Sequence, residues 1–586
     1  MRFSTIKKKQ GIGAELRADM RVTTLFLFFS LLAALVVVHL FDLQVLKYDF
    51  YYALASDQHD FFQKLFPERG QIFEQDRLLV NGESKDNVYP VAINKQYVLV
   101  YAQPKYITDP TAAANAIAPI LSMPADQLLA KLAKPDDQYE PIAHKVEQSV
   151  AERVKELGIE GIRFAPETFR YYPEAAIGAH VLGFVSLSDD AKKGVYGIEG
   201  HMDTELRGVA GESLAERDSF GNLIGFGQKD AITAQDGSDI VLTIDKTVQS
   251  YICTTLSQTA KDLGAKSGTI IVMDPHTGAV RAMCSYPEFD PNEYNKVDDI
   301  RAYNNTAIYG AYEPGSIFKP ITMSAGIDVG AITPETTYVD EGQVKVDDKT
   351  IRNATRQGYG LQTMTQVLEK SLNTGTVFAM RQMGPDVLRD YIKRYDFGKP
   401  TGIELDSESR GNIATLDKRG EIFAATASFG QGITATPLQM LAAIDVMANG
   451  GRQVHPYIVA EIRKSDGQII EHQPVETKQI IQEKTATLVA GMMVSVIEHA
   501  KHAHVPGYYI AGKSGTAQIA DTNGSYSENR TNHTMIGFGP AENPQFSLII
   551  KYEEPQKGQF AESTAGPVFA QVVKFLLEYY HIAPSH

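Results

Sequence analysis

Cysteine is almost missing: Cys253 and Cys284 are the only two among 586 residues. This rules out a fold stapled by several disulfides, and no spacing suits a metal site. The pair reads either as two small buried residues or as a single bridge, and the sequence leaves both open. The 14 histidines contain no H-E-x-x-H or similar cluster, so neither metal nor cofactor is expected. A basic surplus is missing too. Against 71 acidic residues stand 56 basic ones, a net charge of −15. Phosphate binding needs a basic surface, so no nucleic-acid partner is expected. No long apolar run occurs after the N-terminal region, so a second membrane span is not expected. Internal repeats and low-complexity tracts are absent.

What is there begins with a charge asymmetry. Before Thr23 lie Arg2, Lys7, Lys8, Lys9, Arg17 and Arg21, against only Glu15 and Asp19. From Leu25 to Leu46 the chain is apolar apart from Ser30, His39, Asp42 and Gln44. That length spans a bilayer as a helix, and the basic flank places the N-terminus inside. A cleaved signal peptide is the alternative, with Ala53-Leu54-Ala55 as its small-residue site. That site lies well past the apolar run, and the run exceeds an ordinary signal core. The reading is a permanent single-pass anchor in the cell membrane, its bulk outside the cytoplasm. The segments are then a basic cytoplasmic tail (1–21), an anchor (22–46), a pedestal (47–235) and a catalytic domain (236–586).

Residues 47–60 read as a juxtamembrane helix. Beyond them, Tyr89–Ile93 and Tyr97–Tyr101 are strand-like. Asp109-Pro110 opens an alanine-rich helix, and Pro124 to Ala133 forms another. Val146, Val150, Val154 and Leu157 show helical periodicity ending at Gly158. Asp236-Gly237-Ser238-Asp239 marks the boundary. After it, 248–265 is helical, and 268–273 with 279–284 form a hairpin. Residues 513–519, 534–538 and 546–552 supply three more strands, and 567–580 a terminal helix with an apolar stripe. The fold class is therefore α+β: an elongated α+β pedestal, then a domain of helices on an antiparallel five-stranded sheet.

Three short signatures fall in order: Ser316-Ile317-Phe318-Lys319, Ser371-Leu372-Asn373 and Lys513-Ser514-Gly515-Thr516. Together they describe serine acyl transfer. A serine hydroxyl is a weak nucleophile and needs a base. Lys319 lies one helical turn from Ser316 and shares its face. Crowded by cations and partly desolvated, it can lose its proton and take that of Ser316. Ser371 offers a second hydroxyl for proton relay, and Lys513 a fixed positive charge near both serines. Each pattern alone has decoys here: Ser4-Thr5-Ile6-Lys7, Ser527-Glu528-Asn529 and Lys266-Ser267-Gly268-Thr269. Order and context separate the set from these. Ser316 follows the Glu313-Pro314-Gly315 turn and leads into an apolar stretch.

These signatures resemble the penicillin-binding proteins and serine β-lactamases. From about residue 20 onward, the chain resembles class B penicillin-binding proteins, the monofunctional peptidoglycan D,D-transpeptidases. The Glu-Pro-Gly-Ser approach, Phe397-Gly398-Lys399-Pro400-Thr401-Gly402 and Gly430-Gln431-Gly432-Ile433-Thr434 are similar to the septal, division-type branch. His180-Val181-Leu182-Gly183-Phe184 and Gly197-Ile198-Glu199 resemble its pedestal. One departure follows Arg69-Gly70-Gln71-Ile72: Glu74, Gln75 and Arg77 replace the usual Asp-Arg and glycine. Ser514 stands where threonine is commoner.

The resemblance implies a stem peptide ending in D-Ala-D-Ala as substrate, β-lactams as inhibitors, and a polytopic glycan-polymerising partner with division proteins. It also implies roles. Ser316 is the nucleophile, Lys319 the base, and Ser371, backed by Lys513, the proton relay. Asn373 hydrogen-bonds the peptide, the Ser514 and Thr516 hydroxyls hold the terminal carboxylate, and Gly515 between them is counted with the substrate-binding residues. The amides of Ser316 and Thr516 form the oxyanion hole. The rivals are an elongation-type transpeptidase, a D,D-carboxypeptidase using water, and a non-catalytic scaffold.

Overall fold

The computed structural model describes residues 25–37, 60–65, 67–80, 83–134, 137, 139–188, 191–216, 229–473, 475, 478–520 and 526–586. They divide into two compact units, Met1–Pro67 with Val209–Gln235, and Glu68–Gly208 with Asp236–His586.

In the first unit, residues 25–37 are helical, and large apolar side chains such as Phe26 and Phe28 are exposed. Among the described residues, no helix is long and apolar enough to cross a membrane. The rest of the expected span at 22–46 lies outside them, as does the expected helix at 47–60, except for Asp60. Asp60 opens a strand instead, Asp60–Leu65, which pairs antiparallel with Gly211–Glu216. At Asp60, pairing with a segment distant in sequence decides the local structure. Lys229–Ile232 completes this sheet.

The second unit opens on a long antiparallel ladder, Ile72–Val80 against Glu83–Ala102. The two short strands expected at 89–93 and 97–101 are one, because Asn94, Lys95 and Gln96 pair with Arg170, Phe169 and Thr168 opposite. Helix Pro110–Leu121 starts where expected, with the Asp109 carboxylate accepting from Thr111 N and Ala112 N. Val146 belongs to strand Glu140–Val146, not to the following helix Gln148–Glu156. Its side chain is buried with Val100, Ile117 and Leu128 in a separate apolar core.

Ile72–Val80 also pairs in parallel with Asp239–Asp245, which continues through Val459–Arg463 to Ile469–Glu471. Seven strands thus form one sheet built from both stretches of the unit. Near its start, the buried Glu199 carboxylate accepts from Arg69 Nε at 2.7 Å and Arg170 Nε at 2.6 Å. Without both guanidiniums that carboxylate would be an unpaired buried charge. Glu74, one of the departures from the family pattern, is buried as well. Desolvation, then the charge of Glu174, pushes its carboxyl up to about 8.

Asp245 caps helix α1 (Lys246–Leu263), accepting from Val248 N at 3.0 Å. Strands β1 (Ser267–Met273) and β2 (Val280–Tyr286) form the expected hairpin. They are joined by β3 (Ala511–Ala520), β4 (Tyr526–Gly539) and β5 (Phe546–Glu553). The sheet is antiparallel, five-stranded and ordered β2-β1-β5-β4-β3. Helices α2 (Lys319–Asp328), α3 (Met364–Glu369), α4 (Asn373–Met383), α5 (Pro437–Ala448) and α6 (Glu483–Glu498) lie between β2 and β3 in sequence. Helix α7 (Ala561–Tyr579) ends the unit.

Successive strand residues face opposite ways. Ile270, Val272, Leu548 and Ile550 pack with Ile252, Leu256, Phe569 and Val572 of α1 and α7. Ile271, Met273 and Ile549 join Ile321, Leu441 and Val489 of α2, α5 and α6. Each such side chain contributes about 1.5–3 kcal/mol on burial. Covering both faces explains why the central strands read as unbroken apolar runs. The two cysteines do form a bridge. Cys253 on α1 and Cys284 on β2 have Cα atoms 5.3 Å apart, closing a loop of separation 31.

Candidate active site

Ser316 sits in a 3-10 turn, Gly315–Phe318, that passes directly into α2. Phe318 and Lys319 both have right-handed helical dihedrals. Nucleophile candidate and base candidate therefore keep the one-turn spacing read from the sequence. Two hydrogen bonds pin this turn to the Gly430–Gly432 segment. Gly315 N donates to Gly430 O at 3.0 Å, and Gly432 N donates to Glu313 Oε1 at 2.9 Å. Gly430 has φ +77°, and a Cβ there would lie 2.3 Å from Gly315 O. The Tyr526 hydroxyl adds a bond to Glu313 Oε2 at 3.0 Å. Sequence reasoning gave Glu313, Gly430 and Tyr526 no role. The traces were the Glu-Pro-Gly-Ser approach and the Gly-Gln-Gly run, both seen as family-like strings.

Ser371 is placed by the end of α3. Its N–H donates to Leu368 O and that of Leu372 to Val367 O, the paired bonds of a Schellman motif. The motif puts Ser371 in the left-handed region at φ +55°, where glycine is usual. The chain then turns straight into α4 at Asn373. A strained residue held by its surroundings at a cluster of ionisable groups points to function.

Two lysines converge on this serine. Lys319 Nζ donates to Ser371 O and lies 3.3 Å from Ser371 Oγ. Lys513 Nζ lies 3.1 Å from the same hydroxyl and 2.8 Å from Ser514 O. Lys319 is fully buried, and Lys513 is 1 % exposed. Desolvation, then the nearby charge of Lys513, holds the Lys319 pKa well below the ordinary lysine value. Burial likewise lowers Lys513 to about 7, opposed by Glu562. The expected fixed cation at 513 therefore stands where burial disfavours its charge. Among the described residues, the acceptors that face the Lys513 amine are the Ser371 hydroxyl and the Ser514 carbonyl, both uncharged.

The remaining predicted residues flank this centre. Asn373 opens α4, and its side-chain amide donates to Arg352 O at 2.9 Å. Strand β3 is the edge of its sheet and passes beside the Ser316 turn. A Cβ at Gly515 would lie 2.9 Å from Ile317 Cγ2 and 3.1 Å from Ile317 N, so glycine permits that approach. By strand alternation Lys513 and Gly515 share one face of β3, and Ser514 and Thr516 the other. Ser514 and Thr516 are half-buried, and Thr516 Oγ1 accepts from Ala561 N at 2.9 Å.

The decoys are elsewhere or otherwise engaged. Ser267 Oγ donates to Glu553 Oε2 at 2.8 Å at the start of β1, and Lys266 pairs with Glu553 and Glu554. Ser527-Glu528-Asn529 lies in β4. Ser4 is outside the described residues.

The arrangement can pass a proton among Lys319, Ser371 and Lys513, one helical turn from Ser316 and beside an edge strand. Comparison with known proteins gives the family. Residues 268–574 match the penicillin binding protein transpeptidase domain, and residues 64–242 the penicillin-binding protein dimerisation domain. Stage V sporulation protein D of Bacillus subtilis is 30% identical over 89% of this chain and 80% of its own length. The peptidoglycan D,D-transpeptidase FtsI of Escherichia coli K12 is 28% identical over 85% of this chain and 83% of its own. Among solved structures, a peptidoglycan synthetase from Bifidobacterium adolescentis superimposes with a TM-score of 0.70 at 27% identity, covering 90% of this chain and 98% of that one.

Proposed function

The chain belongs to the class B penicillin-binding proteins, serine-type D,D-transpeptidases, and from that premise we propose that it cross-links peptidoglycan stem peptides during septal wall synthesis, with Ser316 as nucleophile. The observation that carries the residue roles is the convergence of two buried lysines on the Ser371 hydroxyl.

In this reading Lys319, neutral at working pH, accepts the Ser316 proton. The Ser316 oxygen attacks the carbonyl of the penultimate D-alanine, and the carbon–nitrogen bond to the last D-alanine breaks. The proton passes from Lys319 through Ser371 to the leaving amine. An amine from a neighbouring stem peptide then attacks the acyl-enzyme, and the same relay runs back, returning the proton to Ser316. Edge strand β3 leaves backbone groups unpaired, so an extended peptide can add alongside it. The amides of Ser316 and Thr516 receive the oxyanion. Asn373 steadies the peptide, and Ser514, Gly515 and Thr516 receive the terminal carboxylate. Penicillins acylate Ser316 by the first half of this sequence.

Residues 22–46 are proposed as a single membrane anchor with the N-terminus cytoplasmic, and residue 236 as the start of the transpeptidase domain. A polytopic glycan-polymerising protein and division proteins are the proposed partners. The basic flank and apolar run support the anchor. The division-type strings at 397–405 and 430–439 support the septal assignment.

Fluorescent penicillin tests the site directly. Wild-type protein and Ser267→Ala label, and Ser316→Ala does not. Labelling of Ser316→Ala at another serine refutes the nucleophile. Product analysis with a donor peptide and an amine acceptor separates cross-linking from hydrolysis, and localisation of a tagged copy in dividing cells tests the septal role.

A further inference from the structure

Helix α7 runs 19 residues from Ala561 to Tyr579 yet begins without a cap of its own. The cap position holds Phe560, whose side chain has no oxygen. Helix starts favour Ser, Thr, Asp or Asn there, because the first amides have no partner within the helix. Here the first amide is satisfied from another element: Ala561 N donates to Thr516 Oγ1 on β3 at 2.9 Å. Glu562, in the same first turn, does not cap the helix either; its Oε1 accepts from Lys501 N at 2.9 Å.

A threonine hydroxyl has one proton and two lone pairs. With one lone pair held by Ala561 N–H, the proton is directed away from that amide. Among the described residues, the Thr516 hydroxyl donates to no partner, and the residue is half-exposed on the edge strand beside Ser316. The amide bonded to it also stands at the positive end of a long helix, which polarises the hydroxyl as a donor.

We propose that the Ala561 amide is a positioning group for substrate recognition, presenting the Thr516 hydroxyl as a ready donor to the terminal carboxylate of the substrate. This rests on the carboxylate role of Thr516 given above. One oxygen then both caps α7 and binds substrate, so Thr516→Val alone mixes the loss of a helix cap with the loss of a ligand.

Ala561 is the first helical residue, a position where proline is favoured and its missing N–H is tolerated. Phe560, with φ −134° and ψ 151°, already has the extended backbone a following proline requires. Ala561→Pro therefore deletes the one hydrogen bond at little cost to the helix. Lactate in place of Ala561, introduced by nonsense suppression, deletes the same N–H without a ring. Purified full-length protein in detergent is acylated by a penicillin bearing its carboxylate and by a neutral activated ester lacking one.

The expected result is a loss of about three- to tenfold for the penicillin, the range of one modest hydrogen-bond effect. The loss for the neutral ester should be clearly smaller, with the same pattern for the proline and lactate variants. Ala561→Gly, which keeps the amide and its bond, should retain penicillin acylation. In a Thr516→Val background, Ala561→Pro should add no further selectivity. Equal losses on both substrates, or none, in the proline and lactate variants while Thr516→Val remains selective would overturn this inference alone. An unselective Thr516→Val would overturn the carboxylate reading together with it.

Discussion

Ser371 joins function to backbone strain, and two substitutions separate them. Its φ of +55° sits at the left-handed end of α3, where a Cβ costs about 1–2 kcal/mol relative to glycine. Glycine recovers that strain but adds about 0.5–1 kcal/mol of chain entropy to the folding cost. Both Ser371→Gly and Ser371→Ala remove the hydroxyl that faces Lys319 at 3.3 Å and Lys513 at 3.1 Å. They leave Ser371 O for Lys319 and Ser514 O for Lys513. The lost hydroxyl thus affects the two variants alike, and their difference isolates the backbone. Ser371→Gly is expected to be more stable than Ser371→Ala by about 1 kcal/mol, or roughly 1 °C in melting temperature for a unit of this size. Both are expected to lose about 10²–10⁴ in acylation rate, the range for a proton-transfer group. Thermal unfolding and stopped-flow acylation with a chromogenic β-lactam measure the two effects. A glycine variant no more stable than the alanine variant would refute the strain argument, and fast acylation by either would refute the relay.

Other perturbations follow from the buried charges. Ser316→Ala is expected to lose covalent labelling, a change of about 10⁶ in rate for such a nucleophile, with melting unchanged. The Lys513 pKa falls on folding from 10.5 to about 7, so the unfolded chain holds more protons between those values and stability from this group rises with pH across that window. Lys513→Met is therefore expected to raise the melting temperature at pH 7 and to narrow its advantage towards pH 10, while slowing acylation by carboxylate-bearing substrates. A constant advantage across this range would show that Lys513 keeps its proton when buried. Glu74 has the opposite sign: its carboxyl rises from 4.5 to about 8, so folding takes up a proton and stability is lost as pH climbs through that interval. Glu74→Gln should match wild type near pH 4 and exceed it near pH 8 in chemical denaturation; a wild-type advantage at pH 8 would mean the carboxylate is satisfied when charged.

The sequence alone carried the chemistry and much of the local structure. Ser316 and Lys319 could be paired from spacing, because a helical turn sets their geometry without help from distant residues. The β1–β2 hairpin, helix α1 and the Asp109 cap were equally legible, since turn residues, period and capping oxygens act over a few positions. Serine–lysine chemistry with an acyl intermediate follows from those residue types in that order. Tertiary structure decided everything that depends on who meets whom. It joined 89–93 and 97–101 into one strand through partners at 168–170 and drew Val146 out of its helix. It bonded Cys253 to Cys284 and took Asp239–Asp245 into a sheet begun at Ile72. It also buried Lys513, which lowers its proton affinity, because a lysine's proton affinity depends on the water and charges around it. Thr516 shows the same division. Its place in Lys-Ser-Gly-Thr marked it as a binding residue, but its hold on the start of α7 arises only because folding brings Ala561, 45 positions away, within 2.9 Å of its hydroxyl.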